Sequence, residues 1–127
     1  MFLSACLTLP GKKTLDEEVK SRIDQTAVNC GTVLSTGPTG VVDRCVVSAY
    51  VSKKPFFAIY WHQGIDSAVG EALFVDPGGR IKTLFFDSAP CGGPFCGSYT
   101  KERICTEVKV KAVGSSQYLS CKEVTWR

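Results

Sequence analysis

Seven cysteines in a chain of 127 residues, at positions 6, 30, 45, 91, 96, 105 and 121, constrain this protein more than any other feature of its sequence. None stands in the CxxC spacing that zinc ribbons and thioredoxin-like sites use. Dispersed cysteines at this density predict a disulfide framework and an oxidising, extracytoplasmic compartment: periplasmic, outer-membrane-tethered or secreted. The length suits one domain with a single core, assigned to residues 14–127, with 1–13 as an N-terminal tether or signal remnant. At 44% hydrophobic and 21% charged residues the composition is that of a folded chain. No apolar run approaches the ~18 residues of a membrane span. A scattered net charge of +3 gives no ground for a nucleic-acid partner.

Thr14-Leu15-Asp16-Glu17 fits a capping box, with Thr14 as N-cap and Glu17 at the third helical position. Leu15, Val19, Ile23 and Ala27 recur every four residues, which predicts a short helix with a narrow apolar stripe. Acids crowd its first turn, where the helix dipole favours them. Asn29-Cys30-Gly31 ends that segment, and Ser35-Thr36-Gly37-Pro38-Thr39-Gly40 is a loop by composition. Val42, Cys45, Val46, Ala49 and Tyr50 then share one helical face, with Asp43, Arg44, Val47 and Ser48 off it. Residues 41–52 are therefore expected to be helical, although valine is a poor helix former.

From Pro55 onward the period becomes two. Residues 56–63, rich in aromatics (Phe56, Phe57, Tyr60, Trp61), read as a central strand covered on both faces. Strands at 67–75 and 80–87 flank Asp76-Pro77-Gly78-Gly79, a hairpin turn with proline early and glycine after it. Ile104, Thr106, Val108 and Val110 alternate with Cys105, Glu107, Lys109 and Lys111, giving a half-buried strand with one wet face.

These elements suggest disulfide partners. Cys45 points inward from its helix near the loop that carries Cys30, so Cys30–Cys45 is the first expected bridge, stabilising by on the order of 3 kcal/mol. A three-residue loop Ala112-Val113-Gly114, with Gly114 at a left-handed bulge position, pairs Lys111 with Ser115 and Cys105 with Cys121. Opposed Cα atoms then lie roughly 4.5–5.5 Å apart, so Cys105–Cys121 is expected as a cross-strand bridge on the solvent face. Cys91 and Cys96, enclosing Gly92-Gly93-Pro94-Phe95, remain for a small local bridge.

The expected fold class is α+β: two N-terminal helices followed by an antiparallel sheet of about five strands, disulfide-stabilised, with the second helix on its apolar face. In element order alone this resembles cystatin-like and beta-lactamase-inhibitor-like folds. The odd cysteine is Cys6. Leu3-Ser4-Ala5-Cys6 resembles a bacterial lipobox, in which small residues precede a cysteine that is lipidated and becomes the mature N-terminus. No basic n-region and no complete apolar h-region precede it, which a start upstream of Met1 would supply. The resemblance implies lipidation of Cys6 and membrane attachment through it.

Few residues carry chemistry. Asp66-Ser67-Ala68 and Asp87-Ser88-Ala89 are one tripeptide twice, expected to meet at the open end of a hairpin. Two carboxylates and two hydroxyls there could ligate a cation or line a pocket; more simply, Asp and Ser end strands by bonding nearby N–H groups. His62 is the one histidine, so a Ser–His centre would need it, with Asp66 or Asp87 as orienter and Ser67 or Ser88 as nucleophile. No nucleophile elbow surrounds either serine. Cys91, Cys96, Cys105 and Cys121 could hold zinc, but their spacings are not those of common zinc modules. The loop 89–99 presents Phe95 and Tyr99 as contact aromatics. Lys53-Lys54 and Lys109-Val110-Lys111 read as solvated charge that an anionic lipid surface could use. The sequence thus points to a non-enzymatic secreted or membrane-tethered domain, without cofactor, that binds a protein or cell-surface component. The alternatives are a hydrolase using His62 with the Asp/Ser pairs, and a metal or redox protein using the four C-terminal cysteines.

Overall fold

β2 (Phe56–His62) opens with Phe56-Phe57-Ala58-Ile59, which has no polar side, and all four residues are buried. A strand of that kind needs cover on both faces. The computed structural model, which describes residues 14–63, 67–91 and 97–122, provides it on each. β2 lies between β1 (Val28–Val33) and β3 (Val69–Val75), with β4 (Ile81–Asp87) and β5 (Tyr99–Ile104) completing one five-stranded sheet in that order. Helix α1 (Leu15–Lys20) packs Leu15 and Val19 onto one face, over Phe57, Ile59, Ala72, Phe74, Leu84 and Phe86. Helix α2 (Gly40–Val51) packs Val42, Val46 and Ala49 onto the other, over Phe56, Ala58 and Leu73. A separate two-stranded sheet, β6 (Lys109–Val113) and β7 (Ser116–Ser120), joins α2 on that second face through Leu119.

The expected two helices followed by an antiparallel sheet are corrected by β1. It stands between the helices and runs parallel to β2, whereas β2 to β5 pair antiparallel, so the sheet is mixed. The likeness in element order to cystatin-like and beta-lactamase-inhibitor-like folds goes with it. The capping box forms, with Thr14 and Glu17 bonded reciprocally, but the helix stops at Lys20. Soon afterwards the Asp24 carboxylate accepts from the Thr26 N–H at 2.9 Å, a local turn that competes with helix. Ile23 and Ala27 still pack against the α1 core, so the four-residue stripe marked the buried side and not the helix length. Asn29-Cys30-Gly31 is no terminator but a bulge inside β1. Register shifts between Asn29 and Thr32, Gly31 takes φ of 106°, and the Gly31 N–H donates to Asn29 Oδ1 at 2.9 Å. The bulge leaves Cys30 and Val33 both buried.

α2 and the 76–79 turn form as expected, although Val47 is also buried. The C-terminal register does not. Residues 104–111 are divided between β5 and β6, and the hairpin closes through Gly114-Ser115, with Val113 opposite Ser116 and Lys111 opposite Tyr118. Cys105 and Cys121 are joined nonetheless, with Cα atoms 5.4 Å apart, because irregular chain at 106–108 absorbs the offset. That bridge belongs to the α2 core, with Cys105 buried, and not to the solvent face. Cys30–Cys45 is present as expected and ties β1 to α2. Cys91 is disulfide-bonded, while Cys96 and Cys6 lie outside the described residues.

On the α1 side a chain of charges links the helix to β4 and β5. Arg22 meets Glu18 and Glu102, each at 2.9 Å; Lys82 meets Glu102 at 2.8 Å and Asp76 at 3.0 Å. The Lys82 and Asp76 side chains are only 13% and 9% exposed. Burial alone would raise both carboxyls. Hydrogen bonds from the Arg80 N–H and Lys82 to Asp76, and from Lys82 and Arg22 to Glu102, outweigh it and hold both below the ordinary carboxylate range. The Lys82 ammonium is held above its usual range, chiefly by its bond to Glu102.

Gly70 makes the docking of α1 possible. A Cβ there would lie 2.7 Å from Trp61 Cε3 and 3.0 Å from Leu15 Cδ2. Trp61, Gly70 and Phe86 stand opposite one another on three adjacent strands, and the two rings meet edge-on across the glycine with centroids 6.0 Å apart.

Two outcomes follow from this packing. Asp76 and Glu102, with folded values below 3.8 and 4.5, stabilise the fold above those values and lose that contribution as pH falls through and below them. Lys82→Met should be less stable at neutral pH by about 1–3 kcal/mol, and its urea midpoint should fall less steeply with acid than that of the native chain; equal slopes would show that the network does not govern acid stability. Gly70→Ala should cost about 1–3 kcal/mol by overpacking, read as a lower Tm, whereas Gly97→Ala, with nothing within 4 Å of the added Cβ, should leave Tm unchanged.

Candidate functional site

Helix α2 covers only part of its face of the sheet. Directly opposed residues on neighbouring strands share a face, so the register arranges the side chains in rows. Phe56, Ala58 and Leu73 belong to the buried rows. Beyond them lie two more: Tyr60, Glu71, Phe85 and Lys101, then His62, Val69, Asp87 and Tyr99. Tyr60 marks the boundary. It packs at the margin of the α2 core, and its hydroxyl donates to Asp43 Oδ1 at 2.9 Å, in the first turn of α2. Burial first, and then the Asp43 carboxylate, push the phenol above its ordinary range, so Tyr60 is a fixed neutral donor.

Past Tyr60 no described residue of either helix core covers the face, and Glu71, Phe85, Lys101, Val69 and Asp87 are half-buried. Phe85 and Val69 belong to neither core, and Phe85 meets Tyr99 edge-on with centroids 6.2 Å apart. Tyr99 is 44% exposed, and His62 is exposed at the end of β2. Rings on a strand surface, with charges of both signs among them, supply rigid contact area and orienting groups at little entropic cost. Chemically, such an arrangement can serve as a contact surface.

The residues singled out in the sequence fall around it unevenly. His62, Asp87 and Tyr99 share its outer row, with Val69 between His62 and Asp87. Of the two Asp-Ser-Ala copies, Ser67-Ala68 and Asp87-Ser88-Ala89 are described and meet at the open end of the β3–β4 hairpin, where the Asp87 and Ser88 side chains bond backbone. The Asp87 carboxylate accepts from the Ala89 N–H at 3.0 Å, and Ser88 Oγ accepts from the Ala68 N–H at 2.9 Å. The Ser88 N–H donates in turn to the Ala68 carbonyl at 2.9 Å. Ser67 is half-buried, while Asp66 and Phe95 lie outside the described residues. Cys105 and Cys121 are bonded to each other and Cys91 is in a bridge, so the four-thiolate arrangement is not the one adopted. Among the described residues no group of three or more His, Cys, Asp or Glu is placed to hold a metal ion.

Tyr60, Glu71, Phe85 and Lys101 were not recognised as site residues from the sequence. Counting outward from the 76–79 turn pairs Glu71 with Phe85, so half the row was within reach. Lys101 required β5, whose residues Tyr99 and Lys101 carry no apolar alternation. At the opposite end of the sheet, a cleft of about 390 Å³ lies between Lys53-Lys54 and the 76–79 turn. Asp24 and Asp76 line it too, so it has no single charge preference.

No helix among the described residues is long and apolar enough to cross a membrane. No protein family matches the chain, and no curated protein or solved structure matches it at a significant level.

Proposed function

We propose that this chain is a non-enzymatic domain of the bacterial cell exterior, secreted or tethered through a lipidated Cys6, that works by binding another protein on the open rows of its sheet. The observation that carries the reading is the Phe85–Tyr99 pair, two rings on a strand face outside both hydrophobic cores, flanked by His62, Glu71, Asp87 and Lys101. Aromatic groups held rigidly by a sheet lose little freedom when a partner covers them. The bridges Cys30–Cys45 and Cys105–Cys121 support an oxidising compartment, since such bonds are rare where glutathione keeps thiols reduced.

Non-reducing peptide mapping of the chain isolated from its cell should recover Cys30 joined to Cys45 and Cys105 joined to Cys121; both pairs recovered as free thiols would overturn the extracytoplasmic placement. For the binding face, a photo-crosslinking amino acid at position 99 should give one discrete heavier adduct in the cell. The same probe at Val41, which is 72% exposed on α2, should give none. Equal labelling at both positions would remove the case for a specific face.

A further inference from the structure

The β6–β7 hairpin has two unlike faces. Leu119 turns toward the α2 core, with Val108 and Cys121. The pairs Lys109–Ser120, Lys111–Tyr118 and Val113–Ser116 lie on the other side, and each of these residues but Ser120 is exposed. At the base, Lys122 stands 3.9 Å from Glu107, with both side chains more than 60% exposed, so that contact neutralises little. Among the described residues Lys109 and Lys111 make no ion pair. Three ammonium groups therefore line one shallow depression with, among the described residues, a single carboxylate, that of Glu107. Next to the turn, where Gly114 takes φ of 62°, Val113 is 67% exposed.

A cationic strip ending in an exposed apolar residue is a poor arrangement for water and a good one for a charged interface. We propose that the outer face of the β6–β7 hairpin docks this chain on an anionic phospholipid surface, with Lys109, Lys111 and Lys122 among the headgroup phosphates, Tyr118 at the same level and Val113 reaching toward the acyl boundary. This goes beyond the protein-binding function and does not depend on lipidation of Cys6. Lysines near an anionic leaflet are attracted additively, while tyrosine and short apolar groups favour the interface. The charge complementarity is specific in kind: three lysines are too few for the 6–10 phosphate contacts of a typical DNA-binding protein, and a small phosphate ion would leave Val113 without a role. A lone two-stranded ribbon is marginal in water. Here the Cys105–Cys121 bridge at its base and the seat of Leu119 fix it in advance, so docking orders little that is not already ordered.

The test is sedimentation of the full chain with phosphatidylcholine vesicles, with and without phosphatidylglycerol. Binding should require phosphatidylglycerol and weaken with added salt. Partition should fall about fivefold for each of Lys109→Gln and Lys111→Gln. Val113→Ser should weaken binding while leaving its salt dependence intact. Lys53→Gln with Lys54→Gln removes twice the charge of either variant at another site and should change nothing. All these side chains are exposed, and an unchanged Tm will confirm that the variants fold. No dependence on phosphatidylglycerol would overturn the proposal. So would an equal loss in the Lys53/Lys54 control, or tighter binding to duplex DNA than to the anionic vesicles.

Discussion

The constraint on which everything else depends is the two-sided burial of β2. Phe56 and Ala58 face one way, Phe57 and Ile59 the other, and neither pair tolerates water. The chain meets this with unlike covers. On one side lie a twelve-residue helix, tied to the neighbouring strand β1 by Cys30–Cys45, and a small hairpin whose base is closed by Cys105–Cys121. On the other, a six-residue helix too short to persist alone is held by its capping box, by Leu15 and Val19 at full burial, and by the gap that Gly70 leaves. Burying those two side chains contributes roughly 1.5–3 kcal/mol each.

Much of this was legible where one local signal dominated. The apolar face of α2, the aromatic run of β2 and the turn at 76–79 each follow from spacing or turn chemistry, and the structure places them as read except that Val47 joins the buried side of α2. β1 was hidden because its bulge puts asparagine and glycine in mid-strand, where a linear reading finds a stop. β5 was hidden because its polar side chains serve long-range partners: Glu102 is explained only by Lys82 and Arg22, which lie far away in sequence. The sequence pairs Cys105 with Cys121 through a register that the structure does not adopt, yet the bridge forms. A turn one residue shorter and irregular chain at 106–108 lead to the same sulfur contact. Proximity of two cysteines constrains a hairpin less tightly than strand pairing does.

The candidate face had the same history. Three of the four residues of its outer row stand out in the sequence, His62 and Asp87 as candidates for catalysis and Tyr99 as a loop aromatic, but not as neighbours on one sheet. Its inner row needed the register. Tyr60 links that row to the helix through Asp43, so the edge of the open face is set by a hydrogen bond as well as by packing. The covered rows supply rigidity and the open rows supply contact area, on strands that are continuous through both.

The placing of the two described bridges Cys30–Cys45 and Cys105–Cys121 has a mechanical consequence. The Cys30–Cys45 and Cys105–Cys121 sulfurs lie on the α2 side, whereas α1 is the first described element of the chain and is held by Arg22, its cap and two apolar side chains. A load applied through the residues ahead of Thr14 would pull on α1 first. The helix would peel from Trp61 and Phe86 while the cross-linked half kept its shape, so the least fastened element would act as a fuse for the rest.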